Sequence, residues 1–553
     1  MLGLDNIFYE FAALLLVAAV FGAIGTLLRQ PLIVAFIAVG IAVGPTWLRI
    51  IESEEALELL AEMGVALLLF VVGLKLDLHL IRGAGPVALV TGLGQVAFTS
   101  IIGFGLCLLL GLSLVHSIYV AVALTFSSTI IIVKLLSDKR EIDSLHGRVA
   151  VGLLIVQDIV VVLVMITLSA FGTGSEDVSI ATEAALVLAK GAALLAAIGV
   201  LMRFVIPATL SFLSRSRELL ILSAIAWALA LAAVGDALGF SKEVGAFLAG
   251  VSLASTAFRE PISTRLVTLR DFLLLFFFLT LGASLDLGEL GGQIAPALVL
   301  SIFVLAGNPL VVMGIMAVMG YRRRTSFLTG LTVAQISEFS LILGALGLSL
   351  GHIDAGTMSL ITLVGLITIG TSTYLILYSH QIYDRLAPWL RVFERRDARA
   401  GKSDAGDQQV EILVFGLGRY GSAVTRHLHD GGWTVRAFDF DPQAVAAMQE
   451  AGIDARFGDA EDPEFPETLP LDQARLVVST VPLLDSNLAL IHSLRHWDYD
   501  GQIAVTAHSD LETEILQRDG AHIVLRPYLD AAAEAKDILE ATLRQESERV
   551  ASA

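Results

Sequence analysis

The run LLIVQDIVVVL, residues 153 to 163, sets Gln157 and Asp158 among aliphatic residues. An acid surrounded by Leu, Ile and Val is costly to ionise, so it stays where it binds and releases a proton, or where it meets a cation. The alternative is a fixed pairing with a buried base that pins two helices together. Two further polar clusters stand in comparable apolar surroundings: Thr125, Ser127, Ser128 and Thr129 in ALTFSSTII, and Gln335, Ser337 and Glu338 in GLTVAQISEFS. Their oxygens can bind backbone groups or ions where a helix is unwound, although a Ser/Thr cluster also serves as a plain helix-packing face. Far downstream, EILVFGLGRYGSAVTRHLHD carries Gly416, Gly418, Arg419 and Gly421, followed about twenty residues on by Asp439. Glycines at this spacing, between an apolar strand and a helix, let a backbone approach phosphates, and the later acid accepts from ribose hydroxyls.

The elements that must position these residues belong to two solvents. The chain has 553 residues, 56% hydrophobic and only 16% charged, with a mean hydropathy of +0.77. That excludes an ordinary soluble protein of this size. The long apolar runs lie in residues 1–380, with 19 Lys+Arg against 24 Asp+Glu, while 381–553 hold 17 against 30. An acidic tail argues against nucleic acid as a partner. Cys107, the single cysteine, excludes an internal disulfide and a thiolate metal site. The start MLGLDNIFYE lacks the basic region of a cleaved signal peptide, so the first apolar stretch reads as a retained helix.

A helix needs roughly 20 apolar residues to cross a bilayer core of ~30 Å. Thirteen such runs occur, near 8–28, 32–48, 56–74, 86–111, 115–136, 148–171, 182–206, 218–235, 243–257, 267–285, 293–319, 326–350 and 356–379. Lys and Arg cluster in alternate connections, which places the N-terminus outside and the tail in the cytoplasm. The third run ends VVGLKLDL and the tenth TLGASLDL, sharing G-x-x-L-D-L in opposite orientations. The fifth and twelfth carry the two polar clusters at similar spacing, as an inverted-topology duplication would leave them. Asp158 then falls near the centre of the sixth span. Neither polar span contains proline, so an interruption there is inferred from polarity. Asn308-Pro309 in the eleventh should kink it, with Asn308 either approaching the crossing or satisfying the backbone that the proline frees.

On these residues the membrane half resembles the Kef-type branch of the cation:proton antiporter-2 superfamily, through Gln157-Asp158, the G-x-x-L-D-L pattern, Ser127 to Thr129, and Gln335, Glu338 and Phe339. The resemblance implies a multi-pass α-helical membrane protein with thirteen spans, inverted repeats and two crossed discontinuous helices. It further implies a scaffold and a mobile core, a homodimer, and exchange of K+ for H+ by an elevator-like motion in the bacterial inner membrane. Relatives with two adjacent acids are associated with electrogenic Na+/H+ exchange. Gln157 in place of the first leaves Asp158 as the shared proton and cation site, with Gln157, Thr125, Ser127, Ser128, Thr129, Gln335 and Glu338 around it, and makes one-for-one exchange electroneutral. Such proteins often place a basic residue in the eleventh span, where this chain has Asn308. A Na+/H+ antiporter and a cation-coupled symporter share these features, whereas a K+ channel needs a TVGYG-like filter that the sequence lacks.

Strand patterns at 474–480, 502–507 and 522–527 complete an α/β Rossmann-like domain over 410–530, after a linker at 381–409 and before a C-terminal helix or tail at 531–553. This segment resembles the nucleotide-binding half of the domains that regulate K+ conductance, including Gly458-Asp459-Ala460. That likeness implies binding of AMP, ATP or NAD(H), with Arg419, Asp439 and Asp459 near the ligand. Two tails are expected to pair beneath the membrane dimer, with an ancillary regulatory subunit as a further candidate partner. No catalytic constellation follows the sheet, so a regulatory role and not an enzyme is expected.

Overall fold

The computed structural model describes residues 6–44, 53–75, 85–139, 141–142, 144–171, 198–206, 216–238, 240–256, 258–285, 290–390, 410–439, 441–458 and 469–551, with single residues between them. The chain divides into two compact units, Met1–Glu394 and Arg395–Ala553.

The first unit is helical: α1 (Ile7–Leu27), α2 (Leu32–Val43), α3 (Glu54–Lys75), α4 (Gly85–Leu109), α5 (Leu114–Ala123), α6 (Thr129–Asp138), α7 (Leu145–Phe171), α8 (Arg217–Ala237), α9 (Lys242–Ala254), α10 (Arg259–Ala283), α11 (Leu290–Ile302), α12 (Asn308–Val318), α13 (Arg323–Thr332), α14 (Glu338–Ser349), α15 (Ala355–Leu377) and α16 (Ser379–Leu386). Among the described residues, eight helical stretches are long and apolar enough to cross a membrane, and α2, α5 and α14 are shorter apolar helices. Most of the seventh run, the ends of both G-x-x-L-D-L stretches and the linker after residue 390 lie outside the described residues.

These helices sort into two bundles. In one, α3 packs on α9 and α10, α2 on α10, α8 on α9, and α1 on α2. Its contacts depend on missing side chains: a Cβ on Gly40 would meet Leu279 O at 2.1 Å, and one on Gly250 would meet Phe70 O at 2.1 Å. Only glycine lets those backbones come so close. In the other, α4 packs on α5, α7 and α12, α13 on α12 and α7, α14 on α5 and α15, and α11 on α15. Between them runs an apolar cluster that includes Val65, Leu69, Phe277, Val161, Met165 and Phe339. Hydrogen bonds from Gln30 to Gly370 O (3.2 Å) and from Tyr374 to Leu28 O (2.8 Å) also join the two.

The second unit is a parallel sheet of β1 (Ile412–Phe415), β2 (Val435–Asp439), β3 (Asp454–Phe457), β4 (Leu476–Ser479), β5 (Gln502–Thr506) and β6 (Ile523–Leu525). The order is β3-β2-β1-β4-β5-β6, the doubly wound arrangement whose switch point lies between β1 and β4. All four residues of β1 are buried, as a strand covered on both faces requires. The helices α17 (Arg419–Asp430), α18 (Pro442–Glu450), α19 (Leu484–His496) and α20 (Asp510–Asp519) connect the strands. A final helix, α21 (Pro527–Ala551), begins four residues before the expected tail and runs nearly to the C-terminus.

Gly421 fixes the contact between β1 and α17. A Cβ there would overlap Gly416 O and lie 2.3 Å from Thr480 Oγ1. We expect Gly421→Ala to lower the stability of this unit by about 3 kcal/mol, as overpacking against backbone does, visible as an earlier thermal transition of the tail.

Candidate functional site

Two helices in the second bundle are broken without proline. The chain leaves α5 at Ala123 and re-enters helix as α6 at Thr129, and it leaves α13 at Thr332 and re-enters as α14 at Glu338. Polar side chains offer the backbone other partners there. Thr125 Oγ1 donates to Val122 O at 2.7 Å. Ser128 caps α6 by accepting from Ile131 N, and Ser337 and Ser340 form a reciprocal capping box at the start of α14. The two breaks lie side by side: Ser127 Oγ donates to Val333 O (3.3 Å) and Ser340 Oγ to Ala123 O (2.6 Å). The eleventh run widens into a π turn over Phe303–Gly307 just before Asn308-Pro309, which accommodates the N–H that proline lacks.

Asp158, on α7, faces this crossing. Its Oδ2 accepts from Thr129 Oγ1 at 3.0 Å, and Thr129 is the first residue of α6, whose positive dipole end favours a negative neighbour. Asp158 keeps partial exposure while Gln157 beside it is fully buried. Both polar ends of Gln157 are engaged: Oε1 accepts from Ser127 N at 3.0 Å, and Nε2 donates to Gln95 Oε1 at 2.6 Å. Gln335 turns its oxygen to Ser372 Oγ at 2.5 Å.

Glu338, the first residue of α14, is 1% exposed, and neither of its oxygens has a hydrogen-bond partner within 3.5 Å among the described residues. The crossing therefore holds two carboxyls where a count of the Gln157-Asp158 pair alone gives one. Arg270 sits within α10. It is buried and bonded to Asp271 Oδ1 at 2.9 and 2.6 Å.

Sequence reasoning passed over Gln95 and Thr99 on α4, single polar residues without a local pattern. It also passed over a charged cluster at the turn before α7. There Glu141 meets Lys139 (3.0 Å), His146 (3.2 Å) and His380 (2.8 Å), beside a cleft lined in part by Thr332, the last residue of α13. Burial alone would raise the Glu141 carboxyl, but the hydrogen bonds from His146 and His380 and the Lys139 charge outweigh it, leaving it well below the usual carboxylate range. Its contribution is then fully present above the ordinary carboxylate pKa and is lost as pH falls through the depressed folded value. Glu141→Gln should cost about 2 kcal/mol near neutrality. That difference should shrink in strong acid, where the wild type loses the same contacts; thermal unfolding at several pH values checks it.

In the tail, Gly416 has φ +91°, a conformation that glycine adopts freely. Thr480 Oγ1 donates to Gly416 O at 2.8 Å and holds the loop. Gly418 has extended backbone and nothing within 4 Å of where a Cβ would stand. Open space over this glycine, at the N-terminus of α17, fits a phosphate group approached by backbone N–H groups. Arg419 is the first residue of α17 and is exposed. Asp439 accepts from Leu417 N and, at 2.7 Å, from Asp441 N, so it shapes the same loop. Gly458 serves packing, since a Cβ there would lie 2.3 Å from the Phe465 ring. Asp459 lies outside the described residues.

Together these define a multi-pass helical membrane protein with a broken-helix crossing and a doubly wound tail. Residues 13–377 match the family described as "Sodium/hydrogen exchanger, transmembrane", and the chain belongs to it. Residues 412–527 match the TrkA-N domain, and the combination is that of a Kef-type antiporter of the cation:proton antiporter-2 superfamily. The chain is 27% identical to the putative cation/proton antiporter YbaL of Escherichia coli (strain K12), over 95% of this chain and 96% of that protein. It is 28% identical to the putative K(+) efflux antiporter KefB of Alkalimonas amylolytica, over 89% and 73%. It is 32% identical to the iron transporter MagA of Paramagnetospirillum magneticum (strain ATCC 700264 / AMB-1), over 66% and 84%.

Proposed function

We propose that this cation/proton antiporter exchanges K+ for H+ at Asp158, electroneutrally. The observation that carries the reading is the setting of Asp158: a partly exposed acidic residue whose carboxyl is held by Thr129 at the meeting point of two broken helices, with the buried Glu338 opening the second re-entering half-helix. Two carboxylates in a low-dielectric crossing cannot both remain uncompensated. Either two protons, or one proton and one monovalent cation, cancel them. Moving between those states exchanges one cation for one proton with no net charge. Ser127, Ser128, Thr129 and Thr125 supply neutral oxygens, and Gln157 and Gln335 amide oxygens with one lone pair each to spare; such donors suit a large, weakly hydrated cation such as K+.

The two bundles support an elevator motion, because the apolar seam between them carries little directional bonding that sliding would have to break. In this reading residues 1–380 transport and 381–409 connect them to a regulatory tail at 410–530 extended by 531–553. The tail lies in the cytoplasm, the N-terminus lies outside, and two chains form a homodimer in the inner membrane. The open space above Gly418 supports nucleotide binding, by AMP, ATP or NAD(H), as the regulatory input.

Proteoliposomes loaded with a pH-sensitive dye test the substrate. Adding K+ or Rb+ should dequench the dye at least tenfold more effectively than equal Na+ or Li+. A reversed order would make this a Na+/H+ antiporter, and proton movement that needs an organic solute would make it a symporter.

A further inference from the structure

A chain of side chains on three different helices links both breaks without using any ionisable group. It starts at Ser127 N, which donates to Gln157 Oε1 (3.0 Å). Gln157 Nε2 donates to Gln95 Oε1 (2.6 Å). Gln95 Nε2 lies 3.2 Å from both Thr125 O and Thr99 Oγ1. Thr99 Oγ1 donates to Asn308 Oδ1 (2.7 Å), and Asn308 Nδ2 reaches Leu124 O and Val333 O (3.4 Å each). Gln95, Thr99, Gln157 and Asn308 are all 0% exposed.

Leu124 and Val333 are the C-cap residues that follow α5 and α13. Asn308 thus stands where the carbonyl ends of two half-helices converge, a place whose partial negative charge would also suit a fixed cation. A neutral amide satisfies those carbonyls without repelling a transported cation. The network leaves the first break at Ser127, returns to it at Leu124 and Thr125, and ties it to the second at Val333. Every link is buried, so a severed one leaves an unmet donor or acceptor in an apolar interior.

We propose that Gln95, Thr99 and Asn308 are positioning residues of the exchange site, holding the two breaks at the separation that cation binding requires, with Gln157 as a strut of this network. The proposal rests on the exchange reading above. The three do not touch the transported ion; they set where the oxygens of the first break stand relative to Asp158.

The test uses the full-length protein in proteoliposomes, with K+-dependent proton flux measured from pH 6 to 9. Gln95→Met fills the same volume without hydrogen bonds. It should raise the K+ concentration for half-maximal flux about tenfold, the equivalent of ~1.4 kcal/mol, while the maximal rate stays within twofold. Thr99→Val, nearly isosteric, should raise it about threefold and keeps the test alive if the first variant does not fold. Gln95→Glu gives the distinguishing readout. Only its protonated form can both accept from Gln157 and donate to Thr125 O. Its half-maximal concentration, relative to wild type at the same pH, should be near normal at pH 6 and rise as the added carboxyl ionises. Unchanged values for both Gln95→Met and Thr99→Val overturn the proposal, as does a Gln95→Glu defect that is the same at every pH. Asp158→Asn run alongside separates the two claims: if it still exchanges, the exchange site itself is misassigned, whatever the network variants do.

Discussion

Asp158→Asn is expected to lower cation-dependent proton flux in proteoliposomes by at least 100-fold, to the level of empty vesicles, while the protein still folds and elutes as wild type. Asn keeps the shape and can still accept from Thr129, so the bond at 3.0 Å is not what the variant removes. What it removes is the group on which proton and cation compete. With the exchanging carboxyl gone, Glu338 remains, but it is 1% exposed against the partial exposure of Asp158. A residual coupled exchange above one-tenth of wild type would mean that Glu338, or another group, carries the proton. Glu338→Gln is the matched variant: it should keep one-for-one exchange, because a single carboxyl still alternates between one proton and one cation.

The second large effect belongs to the tail. Gly418→Val should weaken nucleotide binding by at least 100-fold, about 2.7 kcal/mol, and leave the melting of the tail unchanged. Its backbone is extended, which any residue adopts, and nothing lies within 4 Å of an added Cβ. The added methyl groups therefore fill only the space that phosphates would take. This contrasts with Gly421, three residues on, where a Cβ collides with Gly416 O and Thr480, so that substitution costs stability first. Calorimetric titration of AMP, ATP and NADH into the full-length protein reads the difference. If none of the three gives heat with wild type, the tail is no nucleotide sensor. If Gly418→Val binds as wild type does, the ligand sits elsewhere. Asp439→Ala is the less clean variant, because Asp439 also holds Leu417 N and Asp441 N.

The sequence by itself determined those features that are written locally. Hydropathy separates the membrane unit from the tail because a bilayer demands long apolar runs. Asp158 stands out because an acid in such a run is costly. The hydroxyl stretches at 125–129 and 335–340 mark the two breaks because side chains that compete for backbone bonds sit next to the groups they release. Gly416, Gly418 and Gly421 mark the loop because a sharp turn, an open approach and a close packing contact each exclude side chains at a fixed spacing.

Tertiary structure alone decided which of these groups meet. Asn308 lies 209 residues from Thr99 and 184 from Leu124, and a lone amide in an apolar helix has no periodicity to betray its partner. Glu338 comes to the crossing that Asp158 faces because two broken helices meet there, which spacing along the chain does not show. The helix α10 starts eight residues earlier than hydropathy places it, and within it Arg270 is buried against Asp271. Gly458 resembles a ligand-site glycine in sequence and proves to make room for Phe465. In each case the missing information is a contact between distant segments, and only the packing of helices against one another supplies it.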